Sequence, residues 1–490
     1  MPVERMTPQD ASFLDVEDGI NHMTMGSVAI FEGPPPAYDD ALRMFAAKLP
    51  LVPRYRQLVQ TIPFGLGWPV WVDDPHFDIE YHVRHTSLPH PGGEEQLRRL
   101  VGRLMAQELD RGRPLWEAWI IEGLEDDKWA LVSKTHHSMV DGVGSVDILT
   151  LITDSTSEPS VALPDSWSPE PVPGSAALVT QALQSLAASP YERLRAVRAS
   201  ARAPLRAGRQ MADVIRGAIA SARLMRPIPP SSLNGSIGPN RRYAWANGSV
   251  DQIRTIRRAQ GGTFNDVVLA VITRGLRDLL VSRGETVDGR IVRSLVPVSV
   301  RVRDARGRAV GDGDLHNKVS GVIAELPVGL TDPLERLRAI SDQMAHLKDS
   351  KQAVAAEALM SLTGFAPPLL LAVVTRMAAR VPQHSVNTVT TNVPGPQTPL
   401  FFAGRRMLHV YPYVPLGGQV RVGVAILSYL DQVSFGVTGD YDTAPDIGIL
   451  CNGIEDEMSQ LLKLSNPPGP PTRRRRGSKE RARRSPGSPP

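Results

Sequence analysis

The stretch WALVSKTHHSMVDG, Trp129–Gly142, decides how this chain is interpreted. Its first seven residues form a short, mostly apolar run that is typical of a β-strand. Apolar residues at helical spacing follow from Val143 to Ile152. The second half of the stretch therefore lies at a predicted turn between a strand and a helix.

This turn contains the motif His-His-x-x-x-Asp-Gly, from His136 to Gly142. With only 11 histidines among 490 residues, a chance match is expected on the order of once in a thousand such chains. An imidazole has an ordinary pKa of about 6.5, so near neutral pH it can take a proton from a hydroxyl that attacks a carbonyl. The motif therefore predicts acyl-transfer chemistry, with His137 as the general base and His136 in a supporting position. The alternative is a structural histidine in a loop.

Asp141 and Gly142 complete the motif. Asp141 follows His137 by four residues, so it either contacts the ring or holds the turn from behind, and the spacing does not choose between the two. We expect a structural or orienting role, exerted through a cation that the sequence does not identify. Gly142 removes a Cβ atom where a ligand or another backbone segment approaches closely.

Two further segments of the first half have a local physical explanation. Thr7 is a predicted helix N-cap, with Pro8 at the first helical position. Leu115–Leu124 and Trp129–Thr135 are strand-like runs separated by a short polar segment, which predicts a hairpin with the histidine turn at its far end. Trp116 in this hairpin is expected to belong to the core.

In the second half, Asn265 and Asp266 open an apolar helical run, Val267–Leu280, and either residue is a candidate cap. Asn392 precedes a Val-Pro-Gly-Pro turn, where Thr390 or Thr391 is positioned to offer a hydroxyl to a developing oxyanion.

These motifs together resemble a known family. His136–Gly142 is similar to the signature of the coenzyme-A-dependent acyltransferase superfamily. The segments that narrow the resemblance to the bacterial wax ester synthase/diacylglycerol acyltransferase family are Thr7–Leu14, Pro114–Glu117, Phe264–Ala270, Pro297–Arg301 and Thr391–Pro396. The resemblance spans about residues 5 to 463. It implies an α/β fold of two chloramphenicol-acetyltransferase-like lobes, joined by a linker and crossover helices, with an active-site channel between them.

The resemblance also implies an activity and substrates. It implies transfer of a long-chain fatty acyl group from acyl-CoA, as co-substrate, to a lipid hydroxyl, with diacylglycerol as the favoured acceptor and wax ester synthesis as a second possibility. It implies that Asn265 faces the reaction centre while Asp266 holds structure, and that Thr391 and Asn392 belong to the second-lobe part of the site. No bound cofactor and no metal ligand set is expected.

Two other functions remain open at this point. One is a condensation-type acyltransferase that uses carrier-bound thioesters, although no Asp-Ser-Leu carrier segment is present. The other is a non-catalytic lipid-binding protein on the same scaffold. A serine hydrolase is disfavoured, because no Gly-x-Ser-x-Gly elbow occurs and Ser138 lacks that setting.

The chain divides into four predicted parts. Residues 1–165 form the first lobe, 166–238 a Pro/Ser linker followed by a basic helical region, 239–464 the second lobe, and 465–490 a basic tail without apolar residues to pack. The second lobe mixes strand-like and helical runs. The strand-like runs are Ile291–Val302, Lys318–Leu326, Val386–Asn392, Val420–Ser428 and Val433–Thr438; the helical runs are Val250–Gln260, Asn265–Ser282, Pro333–Asp349 and Ile447–Leu462.

Charge is unevenly distributed. The tail from Asn466 carries eight basic residues and one acid, a charge of +7, which leaves −3 on residues 1–465 of the total of +4. Residues 193–226 contain nine arginines and one acid among apolar residues at helical spacing. Such a helix either lies in an anionic lipid headgroup layer or covers the lobe interface with its arginines in solvent. The tail binds anionic lipid or nucleic acid nonspecifically, or is solvated without a specific role, and no specific nucleic-acid partner is expected.

The single cysteine, Cys451, excludes an intrachain disulfide, and the N-terminus has no apolar signal core. The longest apolar stretch, Leu369–Val374, is far too short to span a bilayer. These features predict a cytoplasmic enzyme whose contact with the inner membrane face or lipid droplets is peripheral.

Overall fold

The computed structural model describes residues 4–139, 148–158, 165–184, 229–299, 319–349 and 385–466. The strands are β1 (Glu4–Arg5), β2 (Thr24–Glu32), β3 (Gln57–Gln60), β4 (Val70–Asp73), β5 (Val83–Ser87), β6 (Trp116–Leu124), β7 (Lys128–His136), β8 (Arg241–Ser249), β9 (Val292–Ser299), β10 (Val319–Leu326), β11 (Thr388–Val393), β12 (Phe401–Phe402), β13 (Arg405–Tyr413), β14 (Val422–Tyr429) and β15 (Gln432–Asp440).

The α-helices are α1 (Pro8–Val16), α2 (Tyr38–Lys48), α3 (Ile79–His82), α4 (Glu94–Met105), α5 (Ile148–Ile152), α6 (Val250–Gln260), α7 (Phe264–Ser282), α8 (Pro333–Asp349) and α9 (Ile447–Ser465). Residues 175–184 are also helical. Short 3-10 turns lie at Leu49–Leu51, Pro53–Arg56, Pro63–Gly65 and His137–Met139. No helix in these described ranges is long and apolar enough to cross a membrane.

Two six-stranded sheets organise the chain into two lobes. The first has the order β12-β13-β2-β7-β6-β5 and the second the order β10-β9-β11-β14-β15-β8, while β1, β4 and β3 form a small third sheet. In the first large sheet only β5 and β6 are parallel neighbours; in the second, β11 runs parallel to both β9 and β14. The predicted α/β architecture is confirmed.

The predicted hairpin is the β6–β7 pair, with Trp116 opposite Thr135 and Leu124 opposite Lys128. Both faces of β7 are covered. Trp129 and Leu131 pack into the core beneath α2 and α5, whereas Ala130 and Val132 pack against α4. This burial on both faces explains why the sequence of the strand is a mostly continuous apolar run rather than an alternation of apolar and polar residues. The histidine turn therefore follows the carboxyl end of a central strand that is packed on both faces.

Trp116 belongs to the core, as predicted. It is fully buried, its Nε1 donates to the carbonyl oxygen of Tyr55 at 2.8 Å, and its ring stacks on His82 at a centroid distance of 4.5 Å.

The second lobe is built around α7, which is buried along most of its length. It packs against α9 at a point where two glycines meet: a Cβ on Gly275 would lie 2.5 Å from the carbonyl oxygen of Leu450, and a Cβ on Gly453 would lie 2.7 Å from the Cα of Gly275. The close approach of the two helices therefore requires both glycines. The predicted helices and strands of this lobe are present, most of them within two residues of the expected ends, and the parts of two predicted strands that fall on 300–302 and on Lys318 lie outside the described residues.

The chain crosses between the two large sheets at β12 and β13. These strands lie within 239–464, yet β13 pairs with β2 at the edge of the first-lobe sheet. The chain therefore returns to the first lobe before finishing the second. Apolar alternation marks β13 as a strand but carries no information about its partner, so sequence periodicity could not reveal this crossing.

The first described part of the predicted linker, residues 166–184, packs against the first lobe together with the preceding Asp165, whereas Leu233 in its second described part joins the core of the second lobe. Asp165 forms an ion pair with the buried Arg56, and the guanidinium lies 4.8 Å from the ring of Trp167. Leu178 and Ala182 join Ile62, Val70 and Val72 in a small apolar cluster. The basic helical region from 193 to 226 and the tail beyond Asn466 lie outside the described residues.

Candidate active site

The histidine turn begins where β7 ends. His136 is the last residue of the strand, paired with Thr24 of β2, and His137 opens the 3-10 turn. Asp141 and Gly142 lie outside the described residues, and helical structure is described again from Ile148. The strand half of the predicted strand-to-helix turn is therefore observed directly.

Two contacts hold His137 in place: one covers a face of its ring and the other engages its backbone N–H. Its ring stacks on Phe13 of α1, with the ring centroids 4.0 Å apart and the planes inclined by 23°. Its N–H donates to the carbonyl oxygen of Met23 at 2.8 Å, while the Nδ1 atom is buried and has no hydrogen-bond partner among the described residues. Burial lowers the pKa of this imidazole below its ordinary value, and the neighbouring His136 lowers it further. The ring is therefore neutral at pH 7 and able to accept a proton.

His136 faces away from solvent and is committed to protein contacts. It is 1% exposed. The Ser138 N–H donates to its Nδ1 at 3.1 Å, and the Ser138 hydroxyl lies 2.6 Å from the same atom. Because Nδ1 accepts a backbone N–H, the ring proton sits on Nε2, which points to the Oε2 atom of Glu17 at 3.4 Å. Ser138 is buried and engaged with His136, so it does not have the exposed setting of a nucleophile.

Glu17 is the buried carboxylate behind the two histidines. Its Oε2 accepts from Arg111 Nη2 at 2.8 Å, and its Oε1 accepts from the N–H of Met23 at 3.1 Å. Burial raises the pKa of this carboxyl, but its contacts with the Nε2–H of His136 and with the Arg111 guanidinium outweigh burial and lower the pKa to about 2. Glu17 is therefore ionised throughout the physiological range. Sequence patterns do not identify this residue, because it lies far from the motif along the chain.

Helix α1 brings both Phe13 and Glu17 to the turn. Its start is the one predicted: Thr7 is the N-cap, its Oγ1 accepts from the N–H of Asp10 at 3.1 Å, and Pro8 occupies the first helical position. Glu17 is the C-cap residue. The segment thus has a second use beyond capping, since it carries the ring and the carboxylate that contact the histidines.

In the second lobe, two of the predicted residues are in contact. The Nδ2 atom of Asn392, near the end of β11, donates to Oδ1 of Asn265 in the first turn of α7 at 3.2 Å. The cap of α7 is Thr263 rather than Asn265 or Asp266. Asp266 completes a capping box, because its Oδ2 accepts from the Thr263 N–H at 2.7 Å. Asn265 is thereby left free of capping and directed to Asn392.

The two threonines before Asn392 differ in their surroundings. The Thr390 hydroxyl oxygen accepts from the Ser294 hydroxyl at 2.7 Å, and the residue is 1% exposed. Thr391 pairs with Ala425 across the sheet and is only half-buried. Of the two, Thr391 is the one whose hydroxyl lies near the molecular surface.

The end of β11 is next to the junction of the lobes. Val393 pairs with Leu427 of β14, and Leu427 packs on the first-lobe core that contains Met139, two residues after His137. Leu427, which pairs with the residue after Asn392, and Met139, two residues after His137, therefore contact the same apolar core.

Comparison with known proteins gives a family. A model described as the wax ester synthase/diacylglycerol acyltransferase catalytic domain matches residues 6–268, and a model of the WS/DGAT C-terminal domain matches residues 315–462. A Mycobacterium tuberculosis protein named as a probable diacylglycerol O-acyltransferase is 38% identical over 474 residues, which cover 94% of this chain and 96% of that protein.

Solved structures agree with this result. The wax ester synthase/diacylglycerol acyltransferase from Marinobacter aquaeolei VT8 matches with a TM-score of 0.63 and 27% identity, over 94% of this chain and all of that one (100%). The starter condensation domain of rhizomide synthetase matches with a TM-score of 0.53 at 11% identity, over 94% of this chain and 93% of that one. At that identity the second match shows a shared fold alone.

Proposed function

Because the chain belongs to the wax ester synthase/diacylglycerol acyltransferase family and is an acyltransferase of that type, we propose that it moves a long-chain fatty acyl group from acyl-CoA to the free hydroxyl of diacylglycerol. The product is triacylglycerol, and long-chain alcohols are second acceptors that give wax esters. The observation that carries the proposal is the position of His137: half-buried at the end of a central strand, stacked on Phe13, and with a pKa lowered by burial.

His137 acts as the general base. It takes the proton from the acceptor hydroxyl as the oxygen attacks the thioester carbonyl, and the tetrahedral intermediate then expels the thiolate of CoA. The imidazolium returns its proton to that thiolate, so the ring ends the cycle neutral. No acyl-enzyme forms, because general-base assistance and the orientation of two bound substrates supply the acceleration. His136 supports the turn, since both of its ring nitrogens face protein atoms.

Asp141 and Gly142 complete the turn in this proposal. Asp141 holds the loop in shape, through a cation that we do not identify, and Gly142 allows close approach of the substrate. Acyl-CoA is a co-substrate that leaves as free CoA, and no permanently bound cofactor takes part.

The second lobe supplies hydrogen bonds to the developing oxyanion. Oδ1 of Asn265 accepts from Asn392, and within the described residues the two N–H groups of the Asn265 amide have no acceptor, so we assign them as donors to the substrate. Donors aimed at developing charge are the largest single contribution in many acyl-transfer reactions. We assign this role to Asn265, with Asn392 orienting it, Thr391 as a further hydroxyl at the same strand end, and Asp266 structural. The substrates meet in the channel between the lobes.

Peripheral contact with a lipid surface follows from the substrate. Diacylglycerol does not dissolve in water, so the enzyme must reach it in a membrane or droplet. The basic segment 193–226 combines nine arginines with apolar residues and is our candidate for the contact. Flotation with anionic vesicles should fall when these arginines are replaced by glutamine. Equal flotation of the two proteins would contradict the assignment.

The experiment follows free thiol release and lipid products from the purified protein with palmitoyl-CoA and either diacylglycerol or hexadecanol. Triacylglycerol formation that is lost in His137→Ala is the expected result. Wax ester alone would make long-chain alcohols the acceptor. Absence of product from either acceptor would overturn the proposal in favour of a carrier-bound donor or a lipid-binding role.

A further inference from the structure

Glu17 contacts the catalytic turn by two separate routes. The first is the side-chain contact of its Oε2 with Nε2 of His136, at 3.4 Å. The second runs through Met23: Oε1 of Glu17 accepts the Met23 N–H at 3.1 Å, and the Met23 carbonyl accepts the His137 N–H at 2.8 Å. One carboxylate is therefore linked to the side chain of one histidine and to the backbone of the other.

The first route fixes the tautomer of His136. Since Nδ1 accepts the Ser138 N–H at 3.1 Å, the ring must carry its proton on Nε2, where only an acceptor is tolerated. The carboxylate of Glu17 is the anionic group that faces Nε2, at 3.4 Å and outside hydrogen-bond geometry, and its side chain is 10% exposed against 1% for His136. A buried anion opposite a ring N–H holds both the orientation and the tautomer of an imidazole.

The second route fixes the position of the histidine turn relative to the start of β2. Met23 is the residue before β2, which pairs with β7 up to the match of Thr24 with His136. The Met23 contacts therefore extend the pairing by one residue, to His137, beyond the last matched pair of the two strands. Without the carboxylate, the Met23 N–H would lose its partner at the point where the strand pairing ends.

The carboxylate is itself held in place. Arg111 Nη2 donates to Glu17 Oε2 at 2.8 Å and also to the carbonyl oxygen of Leu14 at 3.0 Å, so it clamps the end of α1. The other charged groups around it are His22, which faces Glu108 at 3.5 Å, and Lys134, whose ammonium lies 3.7 Å from Glu117.

The segment between Glu17 and Met23 is fixed by the second lobe. Arg241 of β8, which is 4% exposed, donates to the carbonyl oxygen of Ile20, and the Gly418 N–H donates to Oδ1 of Asn21 at 3.0 Å. Residues 17–23 are thus held at both ends by the histidine turn and in the middle by the other lobe.

We propose that Glu17 is the positioning residue of this active site: its carboxylate holds the Nε2–H tautomer of His136 and, through the Met23 backbone, the position of His137. The kinetic part of this proposal rests on the proposed acyl transfer, whereas the tautomer of His136 does not. Glu17 acts through the histidines and has no contact with substrate.

The test is Glu17→Gln, because glutamine has the same size but only one acceptor oxygen. A packing role predicts nearly normal behaviour for this variant. A positioning role predicts a loss of kcat of about 10- to 100-fold, the range found when a partner behind a functional histidine is removed, with the KM for acyl-CoA unchanged. The matched control is Glu108→Gln. Glu108 is a carboxylate beside His22, its side chain is 55% exposed, and its replacement should leave kcat at the wild-type value. If kcat of Glu17→Gln equals that of the control, the proposal fails.

A second measurement is independent of activity. Long-range ¹H–¹⁵N spectra of histidine-labelled full-length protein report which ring nitrogen of His136 carries the proton, with the signal assigned by its absence in His136→Gln. We expect a persistent Nε2–H tautomer in the wild type that is lost or mixed in Glu17→Gln. An unchanged tautomer overturns the first route even if the wild type transfers no acyl group. If Glu17→Gln does not fold, Glu17→Asp replaces it as the test. Aspartate keeps the negative charge but places it farther from His136, so kcat and the His136 tautomer should both change in the same direction by a smaller amount.

Discussion

Phe13 and His137 stack face to face, with their ring centroids 4.0 Å apart and their planes inclined by 23°. The contact joins the first helix of the chain to the turn that follows β7, and it covers one face of the imidazole. The stack therefore restricts the orientation of the imidazole that we propose as the general base.

Replacing Phe13 by leucine should lower kcat by about 2- to 10-fold, because an aromatic pair is worth about 0.5–1.5 kcal/mol beyond its buried area. Leucine keeps an apolar side chain but loses the flat surface. The measurement is kcat for acyl transfer at saturating acyl-CoA. Phe64→Leu is the matched control, because Phe64 is 83% exposed and contacts no histidine in the described structure. An equal change of kcat in the two variants would show that the Phe13–His137 stack does not contribute to the rate.

The two histidines should differ in their effect on rate. His137→Ala should lose a factor of about 100 to 10,000 in kcat, the usual contribution of a general base. His136→Ala should lose less, because His136 is buried and acts through contacts with Ser138 and Glu17. Single-turnover rates of both purified variants at one substrate concentration provide the comparison. Small and equal losses would refute the assignment of the base.

The pH dependence of kcat/KM should report His137 in the free enzyme. Burial disfavours the imidazolium and lowers the pKa of His137 below the ordinary 6.5. The base is active when deprotonated, so activity should remain level as the pH falls from 8 to about 6.5 and decline only below that value. Initial rates between pH 5 and 8, at acyl-CoA concentrations below KM, test this. An acid limb centred above 6.5 would show that another group limits the reaction.

Much of the fold could be predicted because its signals are local. The hairpin, the cap at Thr7 and the helices α6 to α9 follow from periodicity and capping within a few residues of each element. Asn265 and Asp266 are candidate caps of α7 by sequence, whereas the cap is Thr263, and the spacing of Thr263 and Asp266 is itself a capping-box signal. That local signal could have been found.

The rest depends on partners distant in the sequence. Nothing near β13 indicates that it pairs with β2, because alternation defines a strand without naming its neighbour. Glu17 likewise lies at the end of a short helix far from the motif, and its relation to His136 exists only after β2 and β7 have paired. The contact of Asn265 with Asn392 has the same origin, since α7 and β11 are brought together by the folded lobe.

The Asn265 and Asn392 pair should behave as one unit. Asn265→Ala should reduce kcat by roughly 100-fold, the cost of one lost oxyanion donor, and Asn392→Ala should cost less because it only releases the orientation of Asn265. The double variant should be no worse than Asn265→Ala, since the second substitution has nothing left to orient. Asn452→Ala, an exposed change on α9, is the control. Additive losses in the double variant would show that the two amides act separately.

Glu17 should also make stability depend on pH in a predictable direction. Its pKa in the folded protein is about 2, against an ordinary value of 4.5, because burial, which raises it, is outweighed by the contacts with His136 and with the Arg111 guanidinium. A lowered carboxyl pKa stabilises the folded state above the unfolded value and loses that contribution as the pH falls through the folded one. The difference corresponds to about 3 kcal/mol at neutral pH. Thermal unfolding of Glu17→Gln should therefore occur well below that of the wild type at pH 7, and the gap should begin to close below pH 4.5 and continue closing toward pH 2. Glu108→Gln, whose carboxylate is more than half exposed, should show a much smaller gap at every pH. A gap for Glu17→Gln that stays constant across this range would mean that the ionised carboxylate is not what stabilises the turn.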